Sequence, residues 1–188
     1  MKGVKYIIYS DSHIGSPYAI RKKFIFTKNT VFLGDNFDLK NTHRERIDEV
    51  EKERAETIKK CKKVGGVYIS GNHSLKPIKS DHKVARNGIL FTHGDIVAWG
   101  PEKAAKWRKK SKGLHPIGYH LLRMYKKIYD GDLLLLRRKY LDRAHELALK
   151  NNCNTIVIGH LHPTELMDIQ YNSVRIVIVP KGKTVITL

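Results

Sequence analysis

Residues 30–38 read Thr30-Val31-Phe32-Leu33-Gly34-Asp35-Asn36-Phe37-Asp38. A short apolar run with β-forming side chains stops abruptly at Gly-Asp. Such a run reads as a strand covered on both faces. The same grammar recurs four times along the chain. Residues 4–10 end at Asp11-Ser12-His13, 67–70 at Gly71-Asn72-His73, 89–92 at His93-Gly94-Asp95, and 155–158 at Gly159-His160-Leu161-His162. In layered α/β folds, sites assemble in the loops beyond strand ends. Five strands finishing at one edge would therefore bring five polar clusters together.

The remaining elements follow from period and punctuation. Thr42-His43-Arg44-Glu45 has the form of a capping box, predicting a helix to about residue 63 with a stripe of Ile47, Val50, Ala55, Ile58 and Cys61. Gly65-Gly66 ends it. Phe24–26 reads as a further short strand, and Asn87-Gly88 between residues 83–86 and 89–92 predicts a hairpin. From 101 to about 152 the pattern is helical, in pieces broken at 113–116 and 130–131. Three apolar runs, 166–171, 174–179 and 184–188, predict an antiparallel meander at the end. The 188 residues suit one domain. The fold class expected is α/β, a two-sheet sandwich flanked by helices, with a helical cap inserted at about 101–152.

Thirty-six Lys and Arg against eighteen Asp and Glu leave a net charge of +18. A field of that sign draws in polyanions. Cys61 and Cys153 form no disulfide framework, so two reduced thiols are expected. The apolar run Tyr6-Ile7-Ile8-Tyr9 is shorter than the core of a secretory signal, which needs about 7–15 residues. No stretch approaches the roughly 20 apolar residues of a membrane span. A cytoplasmic protein is the expectation.

Five of the ten histidines fall in the clusters; His43, His82, His115, His120 and His145 lie outside. Each cluster alone is a weak signal, since Asp-x-His and Gly-Asn-His recur in ordinary turns. Their joint occurrence, each after a strand, is specific. Carboxylate and imidazole donors together suit Mn²⁺, Fe or Zn²⁺, with Mn²⁺ preferred here, whereas an all-oxygen cage would suit Mg²⁺ or Ca²⁺. A pair of divalent ions lowers the pKa of bound water, makes hydroxide at neutral pH and neutralises phosphoryl oxygens as charge builds.

In kind and order, the five clusters resemble the motifs of the calcineurin-like metallophosphoesterase superfamily, over residues 11–162. The resemblance implies a two-sheet sandwich with Asp11, His13 and His162 on a first ion, Asp35 bridging, and Asn72, His93 and His160 on a second. It implies His73, off the metals and held by Asp38, as the group that protonates the leaving oxygen or stabilises the oxyanion. Many members follow Gly-Asn-His with a carboxylate; here Ser74 stands there. Asp95 is no expected ligand and reads as a capping carboxylate or a support for His93.

Residues 101–150 carry fourteen Lys and Arg and five Asp and Glu, half the net charge. Leu114, Ile117, Leu121, Leu122, Tyr125 and Ile128 recur at helical spacing and read as packing between cap and body, with the lining of a groove for an acyl chain or a base as the alternative. Arg123, Lys126, Lys127, Arg137 and Arg138 are candidates for holding substrate phosphates, as is the loop Arg21-Lys22-Lys23. A helical insertion here, with Gly-Asp-x-Phe-Asp at 34–38, is similar to the UDP-2,3-diacylglucosamine pyrophosphatases, although those usually have Arg where this chain has His73. The function expected is hydrolysis of a phosphodiester or pyrophosphate bond in a nucleotide, nucleic acid or nucleotide-lipid. A phosphomonoesterase, or a non-catalytic basic module that binds nucleic acid, are the alternatives.

Overall fold

A computed structural model describes residues 3–20, 23–74, 82–109 and 138–188. The first sheet has the order β3-β2-β1-β9, built from β1 (Lys5–Ser10), β2 (Thr30–Leu33), β3 (Val67–Ile69) and β9 (Gly182–Thr187). Strands β1, β2 and β3 are parallel, and β9 runs antiparallel to β1. The second sheet has the order β4-β5-β6-β8-β7, from β4 (Lys83–Arg86), β5 (Ile89–Thr92), β6 (Thr155–Ile158), β7 (Met167–Tyr171) and β8 (Val174–Ile178). Its central strands β5, β6 and β8 are parallel and both edges are antiparallel.

Side-chain alternation along each strand explains the layering. Tyr6 and Ile8 of β1, Val31 and Leu33 of β2, and Val67 and Ile69 of β3 meet Ile89 and Phe91 of β5 and Val157 of β6 in one core between the sheets. The alternate residues Tyr9, Phe32 and Tyr68 point the other way, onto Ile58 and Cys61 of α1 (Ile47–Lys63). On the far side, Leu90, Ile156, Ile158, Val174, Ile176 and Ile178 pack on Tyr140, Ala144 and Ala148 of α4 (Arg138–Leu149) and on Val97 of α2 (Asp95–Trp99). Helix α3 (Pro101–Lys109) follows α2. The result is a mixed α/β fold of two facing sheets with helices outside. Period-two alternation with both faces apolar is what makes the strands read as continuous runs.

Several sequence expectations change. The tail is no meander: β7 and β8 form a hairpin, but β9 leaves it and pairs with β1 across the molecule, Gly182 opposite Ser10. Pro180, just beyond β8, cannot extend the ladder. Phe24–26 forms no strand. Its aromatic residues serve packing: Phe24 sits edge-on to Tyr9 and Phe32 with ring centroids 4.9 Å apart, while the Ile25 amide donates to the Tyr9 hydroxyl at 2.9 Å. The capping box does not form either. The buried Thr42 hydroxyl donates to the Asp38 carbonyl, Arg44–Arg46 make a 3₁₀ turn, and α1 begins only at Ile47 with no side-chain cap. Within α1, Arg54 is buried where Ala55 was expected, with Val50, Thr57, Ile58 and Cys61.

The hairpin at Asn87-Gly88 is present, both residues having positive φ (53° and 75°), as a two-residue turn of this kind requires. Both cysteines are free and buried. Among the described residues no helix is long and apolar enough to cross a membrane. The span expected as a cap begins and ends in helices, but α4 is packed on the second sheet. Residues 110–137, which hold the middle of that expectation, lie outside the described residues.

Ile8 is wholly buried on β1 between the two sheets. Ile8→Ala is expected to cost about 2–5 kcal/mol, the range for emptying such a site. Urea unfolding followed by circular dichroism checks it, and a cost under about 1 kcal/mol would mean that the facing sheets can close the gap.

Candidate metal centre

All five clusters stand at the C-terminal ends of parallel strands, three in one sheet and two in the other. Because the sheets face each other, these ends converge. The loops after β1 and β2 continue pairing past the strands: the His13 amide donates to the Asp35 carbonyl at 2.9 Å and the Asp38 amide to the Ile14 carbonyl at 2.9 Å. The site therefore rests on backbone held by its neighbours.

Two aspartates are organised in the same way. Asp11 Oδ2 accepts the His160 amide at 2.9 Å and the Ser10 hydroxyl, leaving Oδ1 to face His162 Nε2 at 2.9 Å and His13 Nε2 at 3.9 Å. Asp35 Oδ1 accepts the His73 amide at 2.9 Å, leaving Oδ2 to face His93 Nε2 at 3.0 Å and His73 Nε2 at 3.9 Å. One oxygen of each carboxylate is fixed by the main chain, and the other is offered to imidazoles. Glycine makes that approach possible. A Cβ on Gly71 would overlap Asp35 Oδ1, and one on Gly159 would overlap the Ser10 hydroxyl and come within 2.8 Å of Asp11 Oδ2.

Around His93 the donors crowd further. Its Nδ1 donates to the Leu33 carbonyl at 3.1 Å, while Nε2 meets Asn72 Oδ1 at 3.0 Å and His160 Nδ1 at 3.2 Å. Burial works against a charged His93, but Asp35 and Asp11 outweigh it and push its pKa up to about 10. Burial, helped by the charge of His93, pushes His160 down to about 3. A charged His93 and a neutral His160 are thus favoured side by side, among groups that could all coordinate a cation. The same balance holds Asp11 well below the usual carboxylate range: burial would raise it, and His162, His93 and His13 overcome that.

Asp38 is the third buried carboxylate. Its Oδ1 accepts His73 Nδ1 at 2.7 Å, and its Oδ2 accepts His13 Nδ1 at 2.9 Å. Fixing Nδ1–H of His13 in this way turns its Nε2 lone pair toward Asp11 and His162. That Nε2 is buried and has no hydrogen-bond partner among the described residues, and neither has His160 Nε2. A buried imidazole nitrogen without a partner is costly in a folded protein. Its presence within two compact groups, Asp11–His13–His162 and Asp35–His93–His160, fits divalent ions of the kind that take mixed oxygen and nitrogen donors. Asn72 adds an amide oxygen to the second group.

Backbone strain marks the same residues. Among the described residues, eight other than glycine have positive φ: three are asparagines at 87, 152 and 172, and five are Asp11, His13, Asp35, His160 and His162. Asn tolerates this region in turns. Elsewhere such conformations cost about 1–3 kcal/mol each and gather at functional sites.

Asp95 opens α2, where its carboxylate accepts the Ile96 amide at 3.0 Å, and burial pushes its pKa up to about 6. Ser74 is buried beside the cluster that ends in His73. Arg138 is exposed and lies beside the Tyr171 hydroxyl, at the β7 end paired with the start of β8, away from the edge that carries His160. Arg123, Lys126, Lys127, Arg137, Arg21 and Lys22 lie outside the described residues. Sequence reasoning missed Tyr18, Asn41, Asn36 and Trp99. Asn36 donates to the Tyr9 and Gly34 carbonyls and accepts from Ser12, tying the first two loops together. Trp99 packs edge-on against His160 with centroids 4.9 Å apart. Of the four, only Asn41 left a usable trace, an Asp-x-x-Asn spacing after Asp38 suited to a side-chain-capped turn.

No family model matches the chain, and no curated protein matches it. Among solved structures, the cold-active protein-tyrosine phosphatase of the psychrophile Shewanella sp. is 14% identical, with a TM-score of 0.47 over 98% of this chain and 75% of that one. A second structure of a cold-active protein tyrosine phosphatase is 15% identical at a TM-score of 0.48, over 98% of this chain and 73% of that one. A point mutant is 16% identical at 0.48, over 98% and 75%. Likeness at this distance assigns no activity; the side-chain geometry must carry the reading.

Asp35→Asn keeps the shape of the side chain but removes its charge beside His93. Mn²⁺ titration by calorimetry, with bound metal counted by mass spectrometry, is expected to show at least one site lost or weakened about 10-fold or more. Unchanged stoichiometry and affinity would take Asp35 out of the centre.

Proposed function

We propose that this chain is a dinuclear-metal phosphoesterase, of the calcineurin-like type its motifs resemble, that hydrolyses phosphodiester or pyrophosphate bonds. The observation that carries the reading is the coincidence just described. The five strained residues other than asparagine are all among the aspartates and histidines whose donor atoms converge.

In this reading Asp11, His13 and His162 would hold one ion and Asn72, His93 and His160 the other, with Asp35 serving both as the motif resemblance implies. Two such ions would supply Lewis-acid activation of water and neutralise the phosphoryl oxygens. The remaining work belongs to the chain. His73 is the least enclosed of the site imidazoles on the Asp38 side, its side chain 22% exposed. Burial would lower its pKa, but Asp38 and Asp35 outweigh that and raise it. With Nδ1–H held by Asp38, the proton available for transfer sits on Nε2. His73 would deliver it to the leaving oxygen as the P–O bond breaks, so that no free alkoxide has to leave.

The net charge of +18 supports an anionic substrate such as a nucleotide, a nucleic acid or a nucleotide-lipid. A phosphomonoesterase would use the same groups. Hydrolysis of bis(p-nitrophenyl) phosphate and p-nitrophenyl phosphate, each with Mn²⁺ and with EDTA, separates the two. Mn²⁺-dependent cleavage that is faster for the diester is expected. Preference for the monoester would select the phosphatase, and cleavage that survives EDTA would overturn the metal reading. His73→Ala should retain both ions and lose about 10²–10⁴-fold in turnover of a diester with an alkyl leaving group, with a much smaller loss on the p-nitrophenyl esters, whose leaving group needs little protonation. Loss of metal in that variant would make His73 a ligand instead.

A further inference from the structure

Asp38 receives more than the two imidazoles. Tyr18 donates its hydroxyl to Oδ2 at 2.9 Å. Asn41 donates its main-chain amide to Oδ1 at 2.9 Å and its side-chain amide to Oδ2 at 2.9 Å. Five donors therefore converge on a carboxylate that is wholly buried, close to the roughly four lone-pair directions it offers.

The roles within this group can be ordered. Tyr18 spends its only hydrogen on Asp38, so its oxygen must accept from Asn41 Nδ2, 2.6 Å away. The two hydrogens of that amide then go to Tyr18 and Asp38. The flipped amide would set its oxygen against Asp38 Oδ2, so the NH₂ orientation is fixed by chemistry. Asn41 Nδ2 also lies 3.0 Å from His73 Nδ1 but has no hydrogen left for it. His73 Nδ1 must carry its own hydrogen and give it to Asp38 Oδ1. Tyr18 in turn packs edge-on to His13, with ring centroids 4.9 Å apart.

The geometry points to Tyr18 and Asn41 as positioning residues that lock the Asp38 carboxylate in the one orientation serving both His13 and His73. One carboxylate then sets the tautomer of a metal-site imidazole and that of the leaving-group acid together. Rotation of Asp38 would lose both settings. This inference rests on the proposed phosphoesterase reading for its catalytic consequence, but the tautomer lock itself does not.

Two variants test it. Tyr18→Phe keeps the ring against His13 and removes only the hydroxyl; Asn41→Ala removes the side-chain amide. In metal-free protein, ¹⁵N–¹H spectra of the histidine rings should show His73 hydrogen-bonded at Nδ1–H in the wild type, and that signal weakened or lost in both variants. With Mn²⁺, turnover should fall about 10–100-fold for a diester with an alkyl leaving group and less than about 3-fold for p-nitrophenolate, which needs little protonation. KM should hold in both cases. An unchanged His73 signal, or equal losses for the two leaving groups, would overturn the lock. If the wild-type protein cleaves neither diester, the phosphoesterase reading fails instead, and the ring spectra alone decide the tautomer lock.

Discussion

Three carboxylates buried side by side are the constraint on which this structure turns. Asp11, Asp35 and Asp38 are 1%, 3% and 0% exposed. Moving one such charge out of water costs several kcal/mol even after relaxation. The chain offsets that cost with specific partners: a main-chain amide on one oxygen of each, imidazoles on the other oxygen of Asp11 and Asp35, and one imidazole on each oxygen of Asp38. The imidazoles serve the carboxylates partly by charge and partly by hydrogen bonds: against its burial, Asp35 and Asp11 push the pKa of His93 up, while burial pushes those of His13 and His160 down. Cations in the same places would serve the carboxylates without protonating the rings. The buried Nε2 atoms of His13 and His160 have no hydrogen-bond partner among the described residues, and cations are groups they could serve.

The two-sheet architecture is how a small fold can assemble such a cluster. A single sheet offers one row of strand ends. Two facing sheets offer two rows across a gap about 10 Å wide, the usual spacing of stacked sheets, which side chains from both can bridge. Hence Asp35, at the end of β2, reaches His93, at the end of β5. Likewise Asp11, beyond β1, reaches the loop of His160 beyond β6. The packed core of Tyr6, Leu33, Phe91 and Val157 keeps that gap fixed. The crossing of β9 to pair with β1 ties the two sheets by one continuous chain.

Much of this was legible in the sequence because both signals are local. An apolar run followed by Asp, Asn or His needs no long-range information, and the strands and clusters lie where that pattern put them. The failures have a common cause. Thr42 looked like a cap because only its neighbours were visible, yet its hydroxyl is taken by Asp38, four residues earlier. Phe24–26 carries strand-forming residues, but the atoms that satisfy its backbone include a tyrosine hydroxyl from β1. The tail read as a meander because adjacency in sequence is the default for pairing, and only the tertiary fold shows β9 returning to β1. Tyr18 had no signal at all, since its role depends on Asp38 twenty residues away in sequence.

Strain and buried charge at the same positions bear on why the site takes this form. Asp11, His13, Asp35, His160 and His162 are held in left-handed backbone that ordinary loops would relax, and their side chains are held where water would serve them better. Neither feature stabilises the metal-free fold; both oppose it. The cores on either side of the sheets supply the stability that tolerates them. A left-handed residue turns the chain sharply within one position, which lets Asp11 and His13 aim two side chains at one group, and His160 and His162 reach the two neighbouring groups, from segments of three residues. That economy explains the x in each Asp-x-His and His-x-His. The intervening side chains, Ser12 and Leu161, face the body of the protein, one hydrogen-bonded to Asn36 and the other packed in the core of the second sheet. The motif spacing seen in the sequence is thus the one-dimensional trace of a backbone bent to converge its donors.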